Sequence, residues 1–166
     1  MPNSKEIVIN TTPILSLIAA TGSLEVLQLL YKRVWVPMEV SQEVQKGGAS
    51  GLGVREFTQA NFLYKQTTPI QIPSLLRNSL DIGEAAVIQT ALNHDVNLVA
   101  IDEKVGRRYA NLSGLKITGT LGILLRAKQS GFPLKMADAI YRMQQHGIWL
   151  SADLIKTVLT KAFKDQ

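Results

Sequence analysis

The chain has 166 residues, 46% of them hydrophobic and 19% charged, enough for one domain with a full core and too few for two ordinary ones. Its net charge of +5 and isoelectric point near 9.6 lean toward polyanionic partners, although the basic excess is spread along the chain without a run of five like charges. Cysteine is absent, which excludes disulfides, thiolate zinc sites, iron–sulfur clusters and cysteine nucleophiles and fits a reducing, cytoplasmic compartment. With His94 and His146 the sole histidines, any metal is expected to be held by oxygen.

Lys5 to Asn10 is a β-branched run that predicts a strand, and Pro13 suits the first turn of the helix that follows. Thr12 is the expected cap of that helix, ILSLIAA, which Gly22 stops; Ser23 caps a second helix over LEVLQLLY. Because Asn10 to Pro13 divide the apolar start, no run approaches the roughly 18 residues of a membrane span, and a soluble protein with no membrane partner is expected. Arg33 to Val36 predicts the second strand, and Pro37 opens a helix over MEVSQEVQK that Gly47 and Gly48 break. The glycine-rich GGASGLG reads as a flexible loop, and it lacks the Gly-Lys-Ser/Thr ending of a phosphate loop.

Val54 to Ala60 predicts a helical turn or two, Asn61 to Thr67 a strand at a sheet edge, and Pro69 and Pro73 an internal connection. Ser79 or Asp81 caps a long helix over IGEAAVIQTALNHD, in which Ala85, Ile88, Ala91 and Leu92 form one apolar stripe. Asn97 to Ile101 is the next strand, followed by a basic helix to Gly114, the strand LKIT and the helix TLGILLRAKQSG. Two further helices, ADAIYRMQQHG and ADLIKTVLTKAF, fall within residues 134–166, a segment suited to packing on the core or to a dimer or partner contact. Trp35 and Trp149 lie in apolar runs and read as core or interface residues.

Strands alternating with helices imply a mainly parallel sheet with helices on both faces. Ligands of such sheets bind beyond the carboxyl ends of the strands, which singles out Asn10 and Asp102. Glu43, on the helix after the second strand, and Glu84, in the first turn of the long helix, complete a set of three carboxylates and one amide. Oxygen ligands from separate elements suit Mg2+ or Mn2+, ions that activate water and stabilise the leaving oxygen of a phosphodiester.

In four blocks, IVINTTPILSLIAATGSLEVL, VWVPMEVSQEV, LDIGEAAVIQTAL and LVAIDEKVGRRYANLSGLKITGTLGILLRAK, the chain resembles the PIN-domain nucleases and, within them, a VapC-like branch. The resemblance implies a single PIN-like domain over residues 1–166, a three-layer α/β/α sandwich whose central parallel sheet has the order 3-2-1-4-5. It also implies an acidic cluster that binds Mg2+ or Mn2+ and cleaves single-stranded RNA, with catalytic residues Asn10, Glu43, Glu84 and Asp102 and metal ligands Asn10, Glu84 and Asp102. Thr12, Arg107, Thr118 and Thr120 are the implied substrate-binding residues, a small antitoxin protein the implied partner and a homodimer the implied assembly.

Asn10 departs from the family pattern, which generally has Asp there, so the implied site has three formal charges from these positions instead of four. Asp81 and Glu103 are placed to supply the missing one. Each residue also has a plainer role: Asp102 as a helix cap, Asn10 as a turn former, Glu84 as a complement to the helix dipole, Glu43 as a solvated charge, Thr118 or Thr120 as an N-cap, and Arg107 as part of a basic helix face. The corresponding alternative function is a non-catalytic PIN-fold module that binds RNA or protein.

Overall fold

The computed structural model describes residues 5–47 and 50–164. Five strands, β1 (Glu6–Ile9), β2 (Arg33–Val36), β3 (Tyr64–Lys65), β4 (Leu98–Ala100) and β5 (Lys116–Thr118), form one all-parallel sheet in the order β3-β2-β1-β4-β5. Ile7, Val8, Ile9, Val34, Val36, Val99 and Ala100 are almost wholly buried, as expected of parallel strands covered on both faces. Ten helices of the described residues flank the sheet in an α/β/α arrangement: α1 (Thr11–Thr21), α2 (Glu25–Leu30), α3 (Met38–Lys46), α4 (Val54–Gln59), α5 (Ser74–Ser79), α6 (Ile82–Asn93), α7 (Lys104–Leu112), α8 (Thr120–Gln129), α9 (Met136–Gln145) and α10 (Ala152–Lys164).

The strand order turns back between β1 and β4, so the chain leaves these two neighbours in opposite directions and a crevice opens at their carboxyl ends. Backbone bonds carry the ladder one residue past each strand: Asn10 N–H donates to Ala100 O at 3.1 Å and Ile101 N–H to Thr118 O at 3.0 Å. Asn10 and Asp102 are therefore held at that end of the sheet by main-chain pairing. Helix α6 packs on β1, β4 and α3, while α1 packs on α8 and α9 and α10 on α8 and α9. No helix of the described residues is long and apolar enough to cross a membrane.

Several local expectations change. Helix α1 begins two residues early, with Asn10 and not Thr12 at its cap, and no side-chain bond closes it. The third strand shrinks from Asn61–Thr67 to Tyr64–Lys65, because Ala60 to Leu63 close a backbone turn ahead of the short pairing with β2. The connection after Pro73 contains the short helix α5, where proline stands as the N-cap. Helix α6 is buried nearly all round instead of along one stripe, with Leu92 41% exposed, because it sits between the sheet and α3. Trp35 is in the core, stacked on His94 at 4.4 Å, whereas Trp149 is 84% exposed, since the turn after α9 directs it away from the packed face. Gly48 and Ala49 of the glycine-rich segment lie outside the described residues.

Candidate metal centre

Glu84 occupies the first turn of α6 and is 3% exposed. Asp81 caps that helix, its Oδ1 accepting the Glu84 N–H at 2.8 Å. From the loop after β4, Glu103 completes a trio: one carboxylate oxygen from each of Asp81, Glu84 and Glu103 lies within 4.8 Å of the others. Burial, aided by the Asp81 charge and by hydrogen bonding and charge from Glu103, pushes the Glu84 carboxyl up to about 8. At neutral pH the metal-free cluster therefore keeps a proton on Glu84.

Two helical glycines allow this crowding. A Cβ on Gly106 of α7 would stand 3.0 Å from Glu84 Oε2, and one on Gly83 of α6 would stand 3.1 Å from Glu43 Oε2 and 3.2 Å from Asn10 Oδ1. Glu43 and Asn10 thus meet over the Gly83 backbone, one residue from Glu84. The Thr11 hydroxyl donates to Glu43 Oε2 at 3.0 Å. Although the residue is solvent-exposed, partial burial of its inward-turned carboxylate raises its pKa; Thr11 opposes that rise and Asp81 adds to it. Asn10 is 5% exposed, and its Oδ1 has no hydrogen-bond partner in the protein.

The donor set fits a hard divalent cation. All of its groups are oxygens, three are clustered carboxylates, and the buried Asn10 Oδ1 is an unpaid acceptor near Glu43. Such an ion would offset the burial and the repulsion that together push the Glu84 carboxyl up.

Asp102 is oriented otherwise. Its Oδ1 accepts the Thr120 N–H at 2.8 Å and its Oδ2 the Thr120 hydroxyl at 2.6 Å, so it caps α8 from outside the trio. The plainer role expected of Asp102 is to cap the next helix, α7; it caps α8 instead, and α7 has Glu103 at its cap with no side-chain bond. Gly119 separates Asp102 from Arg107: its Cβ would stand 2.7 Å from Asp102 Oδ1 and 2.9 Å from Arg107 Nη1. Arg107 Nη1 donates to Ile101 O at 2.9 Å, pinning the end of β4. Thr12, Asp102, Arg107, Thr118 and Thr120 share one groove beside the trio, which Glu103 also lines.

Of the residues singled out in the sequence, the structure gathers Asn10, Glu43 and Glu84 around Gly83 and Gly106, and places Asp102 with Thr120 on the adjoining groove wall. Asp81 and Glu103, secondary in the sequence, supply the other two members of the acidic trio. Their signals were an Asp three residues before Glu84, at capping distance, and an acid next to Asp102.

The PIN-domain family model matches residues 6–164. No curated protein gives a significant match. The PIN domain is a nuclease-type fold, and the sheet order and the acidic cluster at its carboxyl end agree with it. The chain belongs to the PIN-domain family.

Proposed function

We propose that the protein is a Mg2+- or Mn2+-dependent endoribonuclease that cleaves single-stranded RNA, a VapC-like toxin of a toxin–antitoxin pair. The observation that carries this reading is the trio of carboxylates around Glu84, assembled at an energetic cost that a divalent cation offsets. Glu84, Asp81 and Glu103 would hold the ion, with Asn10 Oδ1 and Glu43 beside them and Asp102 within the same crevice. A bound ion supplies activation of water at neutral pH and stabilisation of charge on phosphate oxygens.

The rest is done by the chain itself. Arg107 presents positive potential to a phosphate, and the Thr12 and Thr118 hydroxyls can donate to its oxygens, while the Thr120 hydroxyl and N–H are held by Asp102 and shape the wall. Asp102 fixes Thr120, so it acts on the substrate wall as well as on the charge of the crevice. A small antitoxin with a cationic side chain would fit the acidic cluster, in a cytoplasmic pair built on a toxin homodimer.

Cleavage of a mixed panel of single-stranded RNAs in Mg2+, Mn2+ and EDTA tests this. Cutting that requires metal and is lost in Glu84→Gln is expected; cutting that persists in EDTA would refute it.

The second reading, a non-catalytic PIN-fold module, draws on the neutral Asn10 and on the engagement of both Asp102 oxygens by Thr120. If it is right, the wild type cuts nothing in any metal, and Asn10→Asp is the variant that gains cleavage.

A further inference from the structure

The groove beside Asp102 extends well past the acidic trio. It has a volume of about 930 Å³, and its lining runs from Asp102 and Arg107 to Trp149 and one face of α10. Leu154, Thr157, Val158 and Lys161 line it at the spacing of a single helical stripe.

Two features of this groove set it apart from ordinary surface. Trp149 is 84% exposed, the most exposed of the large hydrophobic side chains among the described residues, in a chain whose other tryptophan, Trp35, is 6% exposed. Tryptophan is usually well covered, so an open indole on a groove wall suggests a ligand that covers it. The second feature is charge. Lys104, Arg107 and Lys161 line the groove, and the acids on its lining are Asp102 and Glu103, which belong to the candidate centre.

An apolar peptide would suit Leu125 and Ile148 on the lining but would leave its positive excess, three cations against two acids, unmatched. A single-stranded nucleic acid satisfies both, because its bases present flat faces to an aromatic ring while its phosphates face the cations.

We propose that Trp149 is a base-stacking platform for single-stranded RNA, holding a nucleotide that flanks the scissile phosphate in the groove between Asp102 and α10. The nature of the strand rests on the nuclease reading above, but the test does not require cleavage.

Short oligouridylate and oligoadenylate are titrated into the full chain in EDTA at low salt, following tryptophan emission and, separately, the anisotropy of a labelled strand. Saturable quenching is expected from Trp149, since Trp35 is buried. Trp149→Leu should lose that quenching and weaken binding about 5- to 100-fold. With an aromatic face retained, Trp149→Tyr should stay within about threefold of wild type. RNA that binds Trp149→Leu as tightly as wild type, with no change in wild-type emission, would overturn the proposal. So would an emission change that follows protein concentration without RNA, which would assign the indole to a second copy of the chain. The two readings fail separately: quenching without cleavage in any metal removes the nuclease and keeps the platform, whereas cleavage with an unchanged KM in Trp149→Leu removes the platform and keeps the nuclease.

Discussion

The Asp81 carboxylate accepts the backbone N–H of Glu84 at 2.8 Å and, through that bond, is held beside the Glu84 carboxylate it repels. Helix α6 thus draws its N-terminal cap from the same group that raises the pKa of its first-turn acid. The two roles separate by substitution. Asp81→Asn keeps a good cap and removes the charge, so stability in EDTA should hold or rise while affinity for Mn2+ falls. Asp81→Ala loses both and should cost about 0.5–2 kcal/mol, read by urea unfolding in EDTA.

Burial and the flanking acids put the Glu84 pKa at about 8, against 4.5 for the free group. Between those values the folded chain keeps a proton that the unfolded chain has released, so the Glu84 contribution to metal-free stability should be most favourable below about pH 4.5 and fall away as pH rises to about 8. Glu43, also shifted upward, adds to this trend. In EDTA, the Glu84→Gln variant should show a flatter dependence than wild type and a higher Tm at about pH 8. Identical pH profiles for the two proteins would show that Glu84 does not carry the effect.

Asn10→Asp adds a carboxylate beside Glu43, at a position whose Oδ1 is buried and unpartnered. The variant should unfold at lower temperature than wild type in EDTA and gain more stability than wild type from Mn2+, because repulsion without the ion becomes ligation with it. A thermal scan of each protein with and without Mn2+ decides this.

Gly106 lies inside α7, where alanine would ordinarily gain about 1 kcal/mol of helix propensity. Its Cβ would stand 2.9 Å from Ile101 Cγ2 and 3.0 Å from Glu84 Oε2. Gly106→Ala should therefore destabilise the protein and weaken metal binding. A net gain in stability would mean that Glu84 swings aside freely.

Sequence patterning reached the sheet because buried β-branched runs and helix caps are local signals, and the resemblance supplied the strand order. Asn10, Glu43 and Glu84 were legible as polar residues at ends of elements. The division of labour among the acids was not. Asp102 follows a buried strand and reads as a ligand, yet its geometry toward Thr120 depends on a contact 18 residues away in sequence. Asp81 reads as a cap, which it is, and nothing local reveals that its charge also faces Glu103. Trp149 read as core or interface because its neighbours are apolar, whereas the turn after α9 decides where its ring goes.

Calorimetric titration of Mn2+ into the protein, beside Glu84→Gln, tests the central claim that the Glu84 cluster is a divalent-metal centre. Wild-type binding that tightens as pH rises toward about 8 and is lost in Glu84→Gln is the expected result; Mn2+ binding of equal affinity in Glu84→Gln would contradict it.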